Sequence, residues 1–208
     1  MRERIKSLAL DLLTAHGYRA VSFGDIAKQL KTTRANIHYH FGNKQKLAEE
    51  VLDDYLRETS EAFKKLWASP DMPLIGKIEI TVEYSRKRYL KFNPRGKGGR
   101  PWSLIARLRQ DIDALTPKSR DALQNFERDL HASIVAAIEA AKARGEFVAW
   151  MPVEDVALQL VGIANSAAPI TQDAGSFDRL EQLYVGFARI ITHAFGRNHA
   201  GPRRRQAG

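Results

Sequence analysis

Apolar residues recur at spacings of three and four along almost the whole chain, and this periodicity constrains the fold more than any other feature. Such a spacing places apolar side chains on one face of an α-helix, whereas the strict alternation typical of half-buried strands is almost absent. We therefore expect an all-α protein of about nine helices. With 208 residues, the chain is long enough to bury a sizeable core in one or two domains.

Capping signals set the predicted helix boundaries near the start of the chain. Gly17 has the residue type favoured just after a helix end, so we expect the first helix to end there. Ser22 with Asp25 three residues later has the form of a capping box, which predicts the start of a second helix. Thr32 or Thr33 would cap a short third helix that ends near residue 40, and Asn43 would cap a long fourth one. The first three helices are expected to form a separate N-terminal head over residues 1–47.

The remaining helices are expected to form a larger body over residues 48–196. One of them would end before Asn93-Pro94, because a proline disfavours the helical conformation in the residue that precedes it. Thr116-Pro117 combines an N-cap with a proline at the first helical position of a long helix, and two further helices follow it. Residues 197–208 contain three consecutive arginines and are predicted to form a basic, disordered tail.

The basic charge of the chain is concentrated in three segments. There are 33 Lys and Arg against 24 Asp and Glu, and the excess lies in residues 1–47, 84–109 and 197–208. A local basic excess favours a polyanionic partner for part of the molecule. Residues 84–109, with 9 basic and no acidic residues, leave three interpretations open: an exposed helix end and loop, an entry for an anionic effector, or an auxiliary DNA contact.

The sequence argues against an enzyme, a cofactor or a metal site. The absence of cysteine excludes disulfides, thiolate metal sites and a cysteine nucleophile. His38 and His40 are two residues apart, so on a helix they point in directions about 200° apart and cannot share one ion. No nucleophile-elbow, P-loop or dinucleotide-binding motif is present in the chain.

Nothing in the hydropathy of the chain predicts insertion into a membrane. No stretch approaches the roughly eighteen uninterrupted apolar residues of a membrane span. The chain starts with charged residues, and Leu8–Ala15 is too short and too polar to be the apolar region of a signal peptide. We therefore expect a cytoplasmic protein.

The predicted third helix, Thr33-Arg-Ala-Asn-Ile-His-Tyr-His40, is too polar to be explained by packing alone, since it buries mainly Ile37. A helix of this kind suits the major groove of DNA, where Arg34 would pair with guanine and Asn36 with adenine. Basic residues outnumber acidic ones by five to one over residues 22–46, which would neutralise phosphates locally.

Two segments, Asp25-Ile-Ala27 and Ala35-Asn-Ile-His-Tyr-His-Phe41, followed by Lys44 and Leu47, resemble the helix-turn-helix of the TetR/AcrR family of transcriptional repressors. Lys31 departs from the family, which usually has a glycine there, and a lysine would be strained if the turn requires a positive φ. The resemblance implies a three-helix DNA-binding head and a helical ligand-binding and dimerisation domain. It further implies a transcriptional regulator, in the first instance a repressor, that binds a palindromic operator as a homodimer and is released by a small-molecule effector.

The same resemblance implies roles for individual side chains of the head. Tyr39, His40 and Lys44 would contact phosphate, and four others would face the bases: Thr33, Arg34, Asn36 and His38. The whole predicted DNA-binding set also includes two residues at the starts of helices, and it consists of Ser22, Thr32, Thr33, Arg34, Asn36, His38, Tyr39, His40 and Lys44.

In the body, the resemblance implies that the last two helices pair with those of a second subunit. Small residues there, Gly162, Ala164, Ala167 and Ala168, would permit close approach. An effector would lie among the aromatic residues of the body, and the predicted ligand-binding set is Trp67, Tyr84, Tyr89, Trp102, Phe126 and Trp150. Two alternatives remain: an effector-independent DNA-binding protein of the same fold, and a basic adaptor at a membrane surface or on RNA.

Overall fold

The computed structural model describes residues 1–197 of the chain. Over this range there are nine α-helices and no β-strand, which confirms the predicted all-α fold. None of the helices within the described range is long and apolar enough to cross a membrane. The predicted basic tail, apart from Arg197, lies outside the described residues. The helices are α1 (Arg2–Ala20), α2 (Phe23–Leu30), α3 (Arg34–Phe41), α4 (Lys44–Trp67), α5 (Leu74–Phe92), α6 (Leu104–Gln110), α7 (Pro117–Ala143), α8 (Val153–Ala174) and α9 (Asp178–Phe195).

Side-chain caps fix the starts of α2, α3 and α4. The Ser22 hydroxyl accepts a hydrogen bond from the Asp25 N–H at 3.3 Å, and the Asp25 carboxylate accepts one from the Ser22 N–H at 2.8 Å. This reciprocal pair confirms the predicted capping box. Of the two candidate caps for α3, the structure uses Thr33 and not Thr32. Asn43 caps α4, as the sequence predicts.

The head has a single apolar core. α1 was expected to end at Gly17, and its backbone does leave the helical conformation there, with φ +84° and ψ 173°, but a further helical turn continues to Ala20. α1 packs against α2, α4 and α6, and α3 packs against α2 and α4. The buried side chains of this core include Ile5, Leu13, Ile26, Ile37, Phe41, Leu47 and Leu52.

The head core extends into the body and joins the two parts. Four leucines from α6, α7 and the turn between them belong to it, namely Leu104, Leu108, Leu115 and Leu123. Polar contacts reinforce the junction, since the Asp111 carboxylate accepts the N–H of Tyr18 at 2.8 Å and the Arg107 guanidinium donates to the carbonyl of His16 at 2.8 Å. α4 contributes buried residues to both cores and therefore runs from the head into the body.

The second core holds α5, α7, α8 and α9 together. Trp102 lies in it, and its indole N–H donates to the hydroxyl of Thr171 at 2.7 Å. The basic loop between α5 and α6 is attached to this core by the buried Asn93, whose side-chain amide bonds both the N–H and the carbonyl of Arg100. The loop is therefore held in place by the body.

Candidate nucleic-acid interface

α3 presents one side to solvent and the other to the core of the head. Ile37 and Phe41 are fully buried, whereas Arg34, His38 and Tyr39 are exposed, and Tyr39 keeps 86% of its accessible surface. Arg34 and His38 lie about one turn apart and Tyr39 follows His38, so these positions form a continuous outward face. A helix anchored on one side and polar on the other has the form needed to enter a groove of DNA.

Hydrogen bonds at the start of α3 orient the side chain of Asn36. Its backbone N–H donates to the Thr33 hydroxyl at 3.1 Å, and its side-chain Nδ2 donates to the Thr32 hydroxyl at 2.8 Å. The Asn36 side-chain oxygen accepts no hydrogen bond from residues 1–197. The Asn36 carboxamide is therefore held in position, and its oxygen can still accept a hydrogen bond.

The guanidinium of Arg34 lies over the first turn of α2. A Cβ atom added to Gly24 would lie 2.7 Å from Nη2 of Arg34, so the absence of a side chain at Gly24 makes room for it. Asp25 is close enough for the arginine to affect it. Hydrogen bonds from Ser22 hold the pKa of the Asp25 carboxyl below its usual range, and the charge of Arg34 lowers it further. Arg34 is thus placed where α2 and α3 meet.

Lys44 is the most constrained of the predicted phosphate contacts. Its ammonium donates to the backbone carbonyls of Tyr18 at 2.9 Å and Val21 at 3.0 Å, and it lies 4.4 Å from the centre of the Tyr18 ring. These bonds attach the start of α4 to the end of α1. An ammonium has three N–H donors, so one remains for another acceptor.

The turn between α2 and α3 has the backbone strain that the sequence predicts. Lys31 has φ +52° and ψ +46°, and it is the only non-glycine residue with a positive φ among those that the structure describes. This conformation lets the N–H groups of Lys31 and Thr32 bond the last carbonyls of α2 at 3.0–3.4 Å. The angle between α2 and α3 therefore depends on Lys31, a non-glycine residue in the left-handed backbone conformation.

Tyr39 lies edge-on to the half-buried ring of His40, with 5.5 Å between ring centres.

The surface formed by residues 22–46 is positively charged. Asp25 is the only acid over residues 22–46, and its carboxylate is occupied by Ser22. Four cations on the surface of this segment are exposed: Lys28, Lys31, Arg34 and Lys46. A polyanion would meet little opposing charge here.

The basic block 84–109 is distributed over several environments. Arg95, Lys97 and Arg100 lie exposed on the loop before α6. Three cations of the block form ion pairs that connect helices: Arg86–Glu181, Lys91–Asp11 and Arg109–Glu127. One third of the nine cations in this block are therefore paired with acids from distant segments.

Three of the six predicted ligand-binding aromatics meet around one cavity. Tyr84, Trp102 and Phe126 line a space of about 80 Å³ between α4, α5, α6, α7 and α8. Sequence reasoning missed the polar residues of the same cavity, chiefly Thr59 and Arg88. Arg88 lies four residues after Tyr84 on α5, and this spacing alone would have placed both side chains on one face.

The other three aromatics lie elsewhere. Tyr89 is fully buried beside the cavity, with 6.3 Å between its ring centre and that of Trp102. Trp67 lines a separate groove between α4 and α7. Trp150 is 69% exposed and packs against Phe195 at 5.1 Å. The structure therefore does not bring the six residues together.

α8 and α9 leave apolar residues uncovered. Leu158, Leu183 and Ile190 are exposed, and Ile190 keeps 65% of its accessible surface. At Gly162 and Gly186, apart from the backbone of the same helix and the chain neighbours, no atom of residues 1–197 lies within 4 Å of the position that a Cβ atom would take. These residues recur at spacings of three and four within each helix. Each helix thus presents an outward stripe of apolar and small residues.

Two family models match the chain. Residues 5–51 match the model for bacterial regulatory proteins of the tetR family, and residues 98–184 match the model for the tetracyclin repressor-like C-terminal domain. Together the two matches cover well over half of the chain. Among curated relatives, the HTH-type transcriptional regulator QacR of Staphylococcus aureus (strain Mu50 / ATCC 700699) is 31% identical over 65 residues. That match spans 31% of this chain and 35% of QacR.

Solved structures share the whole architecture. A TetR-family transcriptional regulator from Agrobacterium tumefaciens has a TM-score of 0.76 at 18% identity, over 94% of this chain and 97% of that one. A structure described as a transcriptional regulator from Saccharomonospora viridis in complex with choline has a TM-score of 0.75 at 20% identity, over 94% and 97% of the two chains. NemR of E. coli, in its reduced form, has a TM-score of 0.72 at 16% identity, over 91% and 96%. At these identities the likeness concerns the fold.

Proposed function

Since the chain belongs to the TetR family of bacterial regulatory proteins, we propose that it is a ligand-responsive transcriptional regulator, in the first instance a repressor, of the bacterial cytoplasm. It binds a palindromic operator as a homodimer, and a small-molecule effector releases it. The observation that carries the proposal is α3, a capped helix that is buried on one side and exposes a row of polar side chains on the other.

In this proposal α3 enters the major groove, and the side chains of the head contact either phosphates or bases. Phosphate contacts position the protein, whereas base contacts select the sequence. Tyr39, His40 and the remaining donor of Lys44 contact phosphates. Ser22 and Thr32 lie at the starts of α2 and α3, where helix N-termini favour anions. The side chains that face the bases are Thr33, Arg34, Asn36 and His38.

A homodimer through α8 and α9 accounts for the uncovered apolar stripes. Leu158 and Gly162 on α8, with Leu183, Gly186 and Ile190 on α9, lie outward. A second copy would bury both stripes in a four-helix bundle, and the open space at the glycines allows the helices to approach closely. Two-fold symmetry of this kind matches a palindromic operator whose half-sites lie one or more helical turns apart.

The cavity of the body is the proposed effector site. A neighbour of the same fold was solved with choline, which supports a small molecule as the kind of ligand. Three residues of α6 line the cavity: Ile105, Ala106 and Arg109. Arg107, on the same helix, donates to the carbonyl of His16 near the end of α1. A ligand that prefers one position of α6 would therefore change the position of the head, and operator affinity would fall by its differential binding energy.

The test begins by selecting a preferred duplex from randomised DNA with the full chain, then measuring affinities for it and for a scrambled duplex by fluorescence anisotropy. Asn36→Ala should weaken binding to the preferred duplex by about 1–3 kcal/mol and leave the scrambled duplex unchanged. Tyr39→Phe is the matched variant on the same helix, and it should weaken binding to both duplexes equally. Equal losses for both variants on both duplexes would contradict the division of roles, and the lack of any preferred duplex would contradict the proposal itself.

A further inference from the structure

The cavity of the body is small and mostly apolar. It has a volume of about 80 Å³, and its apolar walls come mainly from Phe63, Trp102, Phe126 and Leu130. A water molecule needs about 10–15 Å³ of such space, so the cavity has room for roughly five to eight waters. A ligand that fits without displacing the helices therefore has about that number of heavy atoms.

The charge of the cavity has one sign. Two guanidinium groups line it, those of Arg88 and Arg109, and no carboxylate of residues 1–197 does. Arg109 is already engaged, since it donates to Asn165 at 2.8 Å and pairs with Glu127 at 2.6 Å. Arg88 has no acidic partner in the part of the chain that the structure describes. The unbalanced positive charge in the cavity is therefore that of Arg88.

The hydrogen bonds of Arg88 leave one edge of its guanidinium open. Nη1 donates to the hydroxyls of Tyr84 at 2.9 Å and Thr59 at 3.2 Å, and the guanidinium carbon lies 4.1 Å from the ring centre of Tyr55. Nε and Nη2 donate to no acceptor within residues 1–197. These two atoms form the edge that binds a carboxylate through two parallel hydrogen bonds. A half-buried cation without a counter-ion is costly, and an anion at this edge would offset that cost.

We propose that this cavity binds a small monocarboxylate, whose carboxylate pairs with Arg88 and whose short apolar part lies against Trp102 and Phe126. The assignment rests on the proposed function, because it names the chemical class of the effector. Tyr55 adds to the site, since it stacks on the guanidinium and burial raises its pKa to about 12, which keeps its hydroxyl protonated.

A second concavity is less suited to an anion than this cavity. A groove of about 600 Å³ between α5 and α9 is larger, but Glu79, Glu83 and Glu181 line it together with Arg189. Its acidic lining disfavours an anion. The charge of the lining residues therefore favours an anion in the smaller cavity over this groove.

The test is isothermal titration calorimetry of the full chain, without DNA, against straight-chain carboxylates from acetate to octanoate. Butyramide and butylamine serve as the uncharged and cationic counterparts of butyrate. Butyrate should bind roughly tenfold or more tightly than butyramide, because a hydrogen bond to a charged group contributes more than a neutral one. Butylamine should not bind. The proposal is wrong if no carboxylate of the series binds, or if butyramide or butylamine binds as tightly as butyrate.

Variants of α5 locate the site. Arg88→Met keeps most of the side-chain volume and should weaken butyrate binding roughly tenfold or more. Arg88→Lys keeps the charge without the paired donors and should show a smaller loss. Lys87→Met removes one charge from the exposed side of the same helix and should change the affinity by less than about twofold. Unchanged butyrate binding by Arg88→Met would overturn the assignment, and if that variant fails to fold, the ligand ranking on the natural chain still decides the question.

The outcome can be separated from that of the proposed function. The titration uses no DNA, so it stands even if the chain selects no preferred duplex. Uncharged or cationic compounds could release the chain from its operator while carboxylates do not bind. In that case the proposed regulatory function is supported, and the proposal that the effector is a carboxylate is wrong.

Discussion

Replacing Lys31 by glycine should stabilise the head. Lys31 holds a left-handed conformation, with φ +52° and ψ +46°, between α2 and α3. For a residue with a Cβ atom this conformation costs roughly 1–2 kcal/mol, because the Cβ comes too close to the following carbonyl oxygen. Glycine avoids that contact. The position is exposed, so a glycine there leaves no cavity.

The expected gain is smaller than the strain itself. Glycine loses more conformational freedom on folding than other residues, which offsets about 0.5–1 kcal/mol. The net stabilisation should therefore be about 0.5–1 kcal/mol, or about 1–4 °C in melting temperature for a chain of this size. Urea denaturation followed by circular dichroism, with a check that the m-value is unchanged, measures the difference in the free energy of unfolding.

Lys31→Ala is the matched control, because it removes the same charge but keeps the Cβ atom. Lys31 lies in a basic segment, so relief of charge repulsion is the rival explanation for any gain. If strain is the cause, the alanine variant should stay close to the natural protein and only the glycine variant should gain. Equal increases in the free energy of unfolding for the two variants would refute the strain argument. A decrease for Lys31→Gly would show that the lysine side chain stabilises the protein by more than its backbone strain costs.

Three further predictions follow from the contacts of buried and exposed side chains. Lys44→Ala should destabilise the head by about 1.5–3 kcal/mol, since two hydrogen bonds from a charged group are lost, and denaturation that leaves stability unchanged would contradict this role. Ile190→Asp should convert the proposed dimer into a monomer in sedimentation experiments, and a persistent dimer would exclude the outward stripe of α9 as its interface. Burial raises the pKa of Tyr55 to about 12 and also raises that of Tyr184. Because the folded state keeps these protons longer than the unfolded state, stability should be constant below about pH 10 and fall by up to about 1.4 kcal/mol per pH unit for each tyrosine as the pH rises above it. Tyr55→Phe should make this decline shallower, and an identical decline would contradict the assignment.

Local features of the head were predictable from the sequence. The capping box at Ser22 and the caps at Thr33 and Asn43 involve residues three positions apart, so composition and spacing are enough to place them. The strain at Lys31 was predictable because a lysine stands at the turn position where the family usually has a glycine. The prediction failed where tertiary packing acts on a helix end, as at Gly17, where the helix resumes for another turn.

The cavity of the body was much less predictable, because its lining comes from five helices. Aromatic composition alone grouped Trp67 and Trp150 with the cavity residues, although the packing of α4, α7 and α9 places them on other surfaces. The same limit applies to Ala167 and Ala168, which were expected to face a second subunit but are buried in the body. Whether the Nε–Nη2 edge of Arg88 is open depends on which partners the neighbouring side chains take. No local sequence pattern predicts those pairings.

α4 is a single helix of 24 residues whose side chains pack in both cores. At 1.5 Å per residue it is about 36 Å long. A tilt of about 5° at its C-terminal end would displace its N-terminal end by about 3 Å, close to the rise of one base pair, and two symmetric subunits would double the change in the separation of their heads. In the proposed mechanism, an effector in the cavity would act on the C-terminal half of α4, and operator binding would respond to the displacement of its N-terminal end. The helix would then serve as a lever between the two sites.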